Sequence, residues 1–273
     1  MVYRSGHKPP LLPVRIESGR ASHTGMVRSH NEDDILCLEL SLGQGSESTF
    51  PGLYAVADGV GGHEDGEIAS SLALRMLAES IIGSLILPRL RGELPRLNQE
   101  FVLQVLTDGV KMANNGVYAQ AKAKGTDMGT TLAIALVLDG TAYIANVGDS
   151  RVYLLGGGQL RQVTNDHSVV AGLAAAGVIS PEDIYTHPRR NIITRCLGMG
   201  QDIEVDLFTE ELKAGDSLLL CSDGLWEMVR GDKIKEVIEK SPDPQAACEQ
   251  LVEVANQKGG VDNISVVAVR LNR

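Results

Sequence analysis

The spacing of apolar residues changes several times along the chain. Three short apolar runs come first, each bounded by Gly, Ser or Asn, which is typical of strands. They span residues 15–22, 35–40 and 53–57. Two stretches follow in which apolar residues recur every three or four positions, which predicts helices over residues 64–85 and 99–124. The apolar stripes of both helices indicate faces that pack on a core.

Four further strands are predicted in the middle of the chain. They span residues 130–138, 142–147, 152–155 and 159–163, with the turns "DG", "VGDS" and "GGG" between them. Because turns this short join neighbouring strands, we expect these four strands to run antiparallel. A helix and an irregular excursion over residues 168–198 come next. Strands at 203–208, 217–221 and 263–270, with helices at 232–239 and 244–258 between them, complete the prediction.

This order of elements favours an α+β fold of antiparallel sheets covered by helices over a doubly wound α/β fold. No internal repeat of 20 to 50 residues is visible. Residues 1–17 carry three prolines and are predicted to be a loose lead-in. We expect residues 18–273 to form a single domain, with residues 169–198 inserted as a flap.

Composition and charge narrow the possible partners. The net charge of −10 argues against a nucleic-acid surface, which needs clustered Lys and Arg. The longest apolar stretch, Leu132–Leu138, is far shorter than the roughly 18 residues that cross a bilayer. The N-terminal residues have no apolar core of signal-peptide length, and the four cysteines form no CxxC pair and are typical of buried thiols in a reducing compartment. We therefore expect a cytoplasmic monomer that binds neither nucleic acid nor membrane.

Acidic residues lie where predicted strands begin or end. An isolated Asp-Gly at a strand end is usually a turn, but the repetition of the pattern is harder to explain in that way. Several carboxylates at one end of a sheet would repel one another unless a cation neutralised them, and Mg²⁺ and Mn²⁺ take oxygen ligands of this kind. Zinc is disfavoured because no Cys or paired His ligands accompany them. The residues concerned are Glu32, Asp33, Asp58, Asp149, Asp223 and Asp262.

Eight motifs occur in an order that resembles a known family. They are "RSHNEDD" (28–34), "VADGVGGHEDGEIAS" (56–70), "MGTTLAIAL" (128–136), "IANVGDSRVYLL" (144–155), "TNDHS" (164–168), "HPRRNIITRCLG" (187–198), "LLLCSDGLWE" (218–227) and "GGVDNISVV" (259–267). The chain resembles the metal-dependent serine/threonine phosphatases of the protein phosphatase 2C family, in their compact bacterial form. The resemblance implies a four-layer α-β-β-α sandwich of two antiparallel sheets flanked by helices, with a two-metal centre at one end.

The resemblance also implies roles for individual residues. Asp58 corresponds to the carboxylate that bridges two Mn²⁺ or Mg²⁺ ions, and Gly59 offers its carbonyl oxygen to the second ion. Asp223 and Asp262 correspond to the remaining ligands of the first ion. Two ions so placed lower the pKa of a shared water and stabilise charge during in-line displacement at phosphorus.

Four further positions carry less specific implications. Glu32 and Asp33 belong at the second ion or its water shell, and the sequence does not apportion ligation between them. Arg28 resembles the guanidinium that binds the substrate phosphate, against the alternative of a solvated loop arginine. Asp149 either contributes with Asp223 to a third, weaker metal site or caps an Asp-Ser turn with its own side chain.

A histidine in the second motif is a candidate general acid. In many eukaryotic relatives a histidine directly follows Asp-Gly, but here Val60 occupies that position and His63 arrives three residues later, as in bacterial members. His63 either protonates the leaving alkoxide or orients water. We assign Asn263, Asp166 and His167 to structural support.

Basic residues in the flap have two possible roles. His187, Arg189, Arg190 and Arg195 either contact acidic phosphopeptides or serve structural and solvated roles. Flaps of this kind influence substrate choice through loop variation.

Three functions compete at this point. The leading hypothesis is a Mg²⁺/Mn²⁺-dependent phosphatase acting on phosphoserine and phosphothreonine in proteins, opposing a cognate Ser/Thr kinase. One rival is an inactive relative that binds a phosphoprotein or a regulator, although Asp58, Asp223 and Asp262 are all present. The other rival is a metal-dependent hydrolase of small phosphate esters.

Overall fold

Two antiparallel sheets stacked face to face organise the chain. A computed structural model describes residues 15–40, 51–61, 65–93 and 97–272. Its strands are β1 (Arg15–His23), β2 (Asp33–Leu38), β3 (Gly52–Val60), β4 (Gly129–Thr130), β5 (Leu132–Leu138), β6 (Thr141–Val147), β7 (Arg151–Gly156), β8 (Gln159–Gln162), β9 (Asp206–Glu211), β10 (Ser217–Cys221) and β11 (Ile264–Asn272). One sheet has the spatial order β1-β11-β10-β7-β8, and the other has the order β2-β3-β5-β6-β9, with β4 paired to β3.

Helices cover the outer face of each sheet. They are α1 (Asp65–Ile81), α2 (Leu87–Leu90), α3 (Gln99–Lys124), α4 (Val169–Ala175), α5 (Asp223–Trp226), α6 (Gly231–Lys240) and α7 (Pro244–Gln257). Helices α1 and α3 pack on the sheet that contains β3, and α5, α6 and α7 pack on the sheet that contains β11. The expected four-layer α-β-β-α sandwich is confirmed.

Strand β5 shows why an uninterrupted apolar run suits this architecture. Leu132, Ile134 and Leu136 face the helices, whereas Ala133 and Ala135 face the opposite sheet. Successive side chains of a strand point to opposite faces, so a strand covered on both faces is apolar at every position. The core therefore consists of three apolar layers, one between the sheets and one under each set of helices.

The turn between β6 and β7 differs from the prediction. We expected these two strands to be antiparallel neighbours, but β6 pairs with β5 and β9 whereas β7 pairs with β10 and β8. The chain crosses from one sheet to the other through Gly148, whose φ is +105°. A short turn thus changes sheets here because both edges of β6 are already paired.

Other predicted boundaries shift by a few residues. The first predicted helix, over residues 64–85, corresponds to α1, a π-helical turn (Ile82–Ile86) and α2, and this continuous stretch ends at Leu90. Strand β9 begins at Asp206, three residues later than predicted. Strand β1 includes residues 15–17 of the predicted lead-in, and residues 1–14 lie outside the described residues.

The stretch Asp65–Leu90 is, among the described helices, the one long and apolar enough to span a membrane by length and composition. Its apolar stripe is occupied inside the fold, because Ala69, Ala73, Leu77 and Ile81 are fully buried in the layer shared with α3. The stripe is therefore accounted for by core packing.

Candidate active site

The pairing of β2 with β3 brings two carboxylates side by side. Strand β2 begins at Asp33, which lies directly opposite Asp58 near the end of β3. Side chains directly opposite on neighbouring strands are close, and like charges there repel. This register places the first two predicted metal ligands together.

The other sheet presents two more carboxylates at the same end of the sandwich. Strand β10 ends at Cys221 and Asp223 opens α5, while Asp262 lies two residues before β11. Because β10 and β11 are antiparallel neighbours, the end of one meets the start of the other, and the Ser222 amide donates to the Ser265 carbonyl at 3.0 Å. The two motifs "SDG" and "VDN" therefore meet.

Asp33 connects the two sheets. The Ser222 hydroxyl donates to Asp33 Oδ2 at 2.7 Å and accepts from the Ser265 amide at 2.9 Å. Asp33 Oδ1 is buried with no hydrogen-bond partner among the described residues. Burial raises the pKa of Asp33 to about 7, although the hydroxyls of Ser222 and Ser265 favour its charged form. One oxygen is thus oriented by the protein and the other is left unpaired.

Asp58 is held by its backbone. Its amide donates to Thr131 Oγ1 at 3.0 Å, and its carbonyl accepts from the Thr130 hydroxyl and the Thr131 amide, each at 2.9 Å. Burial raises the pKa of Asp58 well above its usual value, and the charges of Asp33 and Asp223 raise it further. The backbone of Asp58 is fixed in place while the charge of its side chain remains uncompensated.

Asp223 is in the same electrostatic environment. Burial raises its pKa first, followed by the charges of Asp149 and Asp262. Asp223 Oδ1 is also buried without a partner in the described part of the chain. Unpaired buried carboxylate oxygens that repel one another are a donor set suited to a hard divalent cation.

The carboxylates do not all point at one position. No group of three acidic, histidine or cysteine side chains within residues 15–40, 51–61, 65–93 and 97–272 converges closely enough to hold one ion. Two of the carboxylates bond to protein donors, because Asp33 accepts from Ser222 and Asp262 accepts from Arg28. The predicted ligands are therefore neighbours whose side chains are partly turned to other partners.

Arg28 lies at the open side of this cluster. Its Nη2 donates to Asp262 Oδ2 at 2.7 Å, and this bond is the main reason that its pKa is raised. Half of the Arg28 side chain is exposed. An exposed guanidinium beside the carboxylates can bind a phosphate group from solvent, as its predicted role requires.

Glu32 precedes β2, and its side chain has a different environment from that of Asp33. A Cβ on Gly66 would lie 2.8 Å from Glu32 Cδ, so the Glu32 side chain lies against the first turn of α1. Burial raises its pKa, and the nearby charge of Arg28 opposes the shift. Gly59 packs just as closely, since a Cβ there would lie 2.2 Å from the Gly66 carbonyl oxygen. Glycine at position 59 lets α1 approach β3, and glycine at position 66 leaves room for the Glu32 side chain.

Asn263 fixes the loop that carries Arg28 and Glu32. Its Oδ1 accepts from the Glu32 amide at 2.8 Å, and its Nδ2 donates to the carbonyls of Thr24 and His30 at 2.9 and 2.8 Å. These three bonds join the loop after β1 to the start of β11. The side chain has the supporting contacts that we predicted for it.

Asp149 lies on the sheet-changing turn, above a buried arginine. It is 2% exposed, and burial raises its pKa to about 7, with the charge of Asp166 next in size. Its carbonyl accepts from Trp226 Nε1 at 3.0 Å.

Arg151, next to this turn, forms an ion pair with Asp166 at 2.6 Å, and its guanidinium carbon lies 3.6 Å from the centre of the Trp226 ring. Sequence reasoning missed Arg151, Trp226 and Ser222, although all three lie inside the quoted motifs.

Two flap arginines bond to acidic residues of the chain. Arg190 pairs with Glu227 at 3.3 Å. Arg195 pairs with Glu204 at 2.9 Å and with Asp206 at 2.8 Å. These ion pairs within the chain give Arg190 and Arg195 a structural role, the alternative to contact with phosphopeptides. Arg189 is exposed. His63 lies outside the described residues, so its role stays a prediction.

Comparison with known proteins identifies the class of protein. The family model for protein phosphatase 2C matches residues 28–258, so the chain belongs to the protein phosphatase 2C family. The serine/threonine phosphatase stp of Listeria welshimeri is 37% identical over 255 residues, which cover 91% of this chain and 93% of that protein. Protein phosphatase PhpP of Streptococcus pneumoniae is 35% identical over 221 residues, covering 81% of this chain and 86% of that protein.

Solved structures agree with the fold. The serine/threonine phosphatase PstP/Ppp of Mycobacterium tuberculosis has a TM-score of 0.79 at 33% identity, covering 95% of this chain and all of that chain. The catalytic domain of the serine/threonine protein phosphatase PstP in complex with two manganese ions has a TM-score of 0.77 at 31% identity, with the same coverage. That relative binds two Mn²⁺ ions.

Proposed function

We propose that this protein is a serine/threonine phosphatase that hydrolyses phosphoserine and phosphothreonine in proteins at a binuclear Mn²⁺ or Mg²⁺ centre. The observation that supports this most is the cluster of Asp33, Asp58 and Asp223, whose charges repel one another beside the exposed guanidinium of Arg28 and in which one oxygen each of Asp33 and Asp223 is buried without a partner among the described residues. A fold without a ligand at this position gains nothing from such a cluster, because unpaired buried charge is destabilising.

The chain carries candidate ligands for two ions, and the side chains of Asp33 and Asp262 would turn from Ser222 and Arg28 to reach them. Asp58 would bridge them, Asp223 and Asp262 would complete the first position, and the Gly59 carbonyl with Glu32 or Asp33 would serve the second, directly or through water. When bound, such a pair of ions supplies a nucleophilic water at neutral pH and stabilises charge on the phosphoryl group. Asp149 would add a third, weaker position together with Asp223.

Arg28 binds the phosphate group and orients it for in-line attack. Its planar guanidinium donates two parallel hydrogen bonds to phosphate oxygens, which fixes the direction of the leaving group. In the structure Asp262 accepts a hydrogen bond from Arg28. An ion at Asp262 and a phosphate at Arg28 would replace this one contact with two, one to each residue. His63 would then donate the proton to the leaving serine or threonine oxygen.

Substrates and setting follow from the same proposal. A phosphatase of this class needs phosphorylated proteins, and we propose that a Ser/Thr kinase of the same cell produces them. We further propose a cytoplasmic monomer. Support comes from Cys196, Cys221 and Cys248, which are free and buried, as expected for thiols in a reducing compartment.

The decisive experiment measures phosphate release from a phosphothreonine peptide in Mn²⁺. We expect wild type to be active, EDTA to abolish activity, and Asp58→Asn to lower kcat by at least about 100-fold, because an aspartate that bridges two ions cannot be replaced by an amide. The matched control is Asp202→Asn, an exposed aspartate remote from the cluster in the sequence. Full activity in EDTA, or an Asp58→Asn variant as active as wild type, would overturn the proposal.

The role of His63 has its own test. We expect His63→Ala to slow hydrolysis of a phosphothreonine peptide by about 100-fold and hydrolysis of para-nitrophenyl phosphate far less, because nitrophenolate leaves without a proton. Equal losses on the two substrates would assign His63 to water orientation and remove it from proton donation.

A further inference from the structure

Three exposed apolar residues lie on two adjoining loops beside Arg28. Met26 and Val27 are 66% and 68% exposed at the tip of the turn after β1, and Val261 is 45% exposed on the facing loop. The two segments touch, since the Met26 amide donates to the Gly260 carbonyl at 2.7 Å. A Cβ on Gly260 would lie 2.9 Å from Met26 Cγ, so the Met26 side chain covers this loop. We call Met26, Val27 and Val261 the apolar rim.

The backbone holds the rim in a fixed position. Gly25 has a φ of +82°, and a Cβ there would lie 2.2 Å from the Asp262 carbonyl oxygen, so the turn is pressed against the loop that carries Asp262. Asn263 Nδ2 bonds the carbonyls on both sides of the turn, at Thr24 and His30. A turn fixed by these contacts presents its apolar side chains to solvent in one arrangement, and preorganised side chains bind a ligand at a smaller entropic cost.

The rim is continuous with the phosphate-binding position. Val27 directly precedes Arg28, and Val261 directly precedes Asp262, while Arg28 and Asp262 bond each other at 2.7 Å. An extended peptide advances about 3.3 Å per residue. A peptide whose phosphate is bound by Arg28 therefore brings residues within about three positions of the phosphorylated one over the rim.

The chemistry of the rim indicates what it binds. Single exposed apolar residues are common on protein surfaces, but adjacent ones bordered by charged groups mark interaction sites. The bordering charges, Arg28 and Asp262, are paired with each other here and would be paired with a phosphate and an ion in the substrate complex, so the rim itself offers neither a free positive nor a free negative group. It suits an uncharged apolar side chain.

We propose that the apolar rim binds a hydrophobic side chain next to the phosphorylated residue of the substrate, and so selects phosphoproteins with Leu, Ile, Met or Phe near the phosphosite. This inference rests on the proposed phosphatase function and adds the substrate feature that the metal ligands do not specify.

The test compares phosphothreonine peptides that differ only in one Leu-for-Ser exchange, placed in turn at each position from three before to three after the phosphothreonine. For wild type in Mn²⁺ we expect Leu in at least one position to raise kcat/KM by about 10-fold, the usual size of one apolar contact. In Met26→Ser/Val27→Ser we expect that preference to fall below about 2-fold. The preference is a ratio within one variant, so a general loss of activity does not affect it.

The matched control is Leu87→Ser/Leu90→Ser, because both residues are 40% exposed on α2 and lie outside the rim and the flap. We expect this variant to keep the full preference. Wild type that hydrolyses every peptide equally, a preference that survives in the rim variant, or a preference lost in both variants would overturn the inference. Wild type inactive on all peptides would instead refute the proposed function. A wild-type dimer in sedimentation that the rim variant does not form, with no peptide preference, would assign the rim to contact between two copies and also overturn it.

Discussion

Replacing Asp149 with Asn should stabilise the metal-free protein. Asp149 is 2% exposed, and its carboxylate is near the charges of Asp166 and Glu227 as well as that of Arg151. Asn has nearly the same shape without the charge. The exchange therefore removes a buried negative charge that the metal-free fold does not fully compensate.

The magnitude follows from the pKa of the group. Burial raises the pKa of Asp149 from 3.8 to about 7, a change of about 3 units, and each unit corresponds to about 1.4 kcal/mol. The ceiling on the stabilisation is thus about 4 kcal/mol above pH 7. Neighbouring carboxylates take up protons when Asp149 stays charged, which relieves part of the repulsion in wild type. We therefore expect Asp149→Asn to stabilise the protein by about 1–2 kcal/mol. For a domain of this size that is a rise in Tm of about 2–8 °C.

The sign of the pH dependence follows from the same shift. The folded protein binds a proton at Asp149 more tightly than the unfolded chain does, so the free energy of unfolding falls as pH rises from about 4 to about 7. The destabilisation of the folded protein by the charged Asp149 side chain reaches its full size above pH 7 and is absent below about pH 4. We therefore expect Asp149→Asn to gain most at pH 8 and less than half as much at pH 5.

The assay is thermal unfolding in EDTA at pH 8 and pH 5, monitored by differential scanning calorimetry. Wild type, Asp149→Asn and the exposed-site control Asp202→Asn are compared at equal concentration. We expect Asp202→Asn to change Tm by less than about 1 °C, as is usual for surface exchanges. A gain shared equally by the two variants at pH 8, or a larger gain at pH 5 than at pH 8 for Asp149→Asn, would refute the reasoning.

Two further substitutions test the surroundings of the site. Ser222→Ala removes the hydroxyl that orients Asp33, so we expect the Mn²⁺ affinity, measured by titration calorimetry without substrate, to fall about 10-fold. The control Ser241→Ala, at another buried serine, should keep the wild-type Mn²⁺ affinity. Equal Mn²⁺ affinities in the two variants would contradict the orienting role of Ser222. Gly148→Ala should cost about 3 kcal/mol or more in urea unfolding, because φ is +105° and the new Cβ would lie 2.6 Å from a buried threonine side chain. Gly157→Ala, with positive φ but open space, should cost about 1 kcal/mol, and a similar loss in both variants would exclude a packing effect at the sheet-changing turn.

Helix α3 shows what sequence patterns predict well. Its predicted and observed bounds are identical, Gln99–Lys124. The Asn98 side chain accepts from the Phe101 amide at the start, and Gly125 with a φ of +69° ends the helix. Both signals are local to the sequence, as are the apolar stripe and its period. Elements whose limits are set by their own residues were therefore predicted closely.

The connection from β6 to β7 shows where local patterns fail. A four-residue turn between two apolar runs has the signature of a hairpin. Whether it joins neighbours in one sheet depends on which strands occupy the edges of β6, and strand β9, more than fifty residues later, takes one of them. The pairing of distant segments decides this, and a motif within the turn carries no record of it.

The candidate site has features that the local sequence determines and others that depend on contacts between distant segments. The residue types were predictable, because a hard cation and a phosphate restrict the choice to carboxylates and a guanidinium. The division between Glu32 and Asp33 was not, since it depends on the contact of Glu32 with Gly66 of α1 and on a hydroxyl 189 positions from Asp33, at Ser222. The side-chain directions likewise depend on contacts between the two sheets.

The site also explains why its supporting bonds are made so largely by the backbone. A carboxylate that must stay unpaired for a ligand destabilises the fold, and at Asp58 the bonds that hold the residue are made by its backbone. Asp58 is fixed through its amide and carbonyl by Thr130 and Thr131, and the loop of Glu32 is fixed by the Asn263 amide. Bonds to the main chain leave the Asp58 carboxylate free for the ligand, whereas Asp33 and Asp262 each accept a side-chain hydrogen bond, from Ser222 and Arg28. The three apolar layers beneath supply the stability that this arrangement lacks.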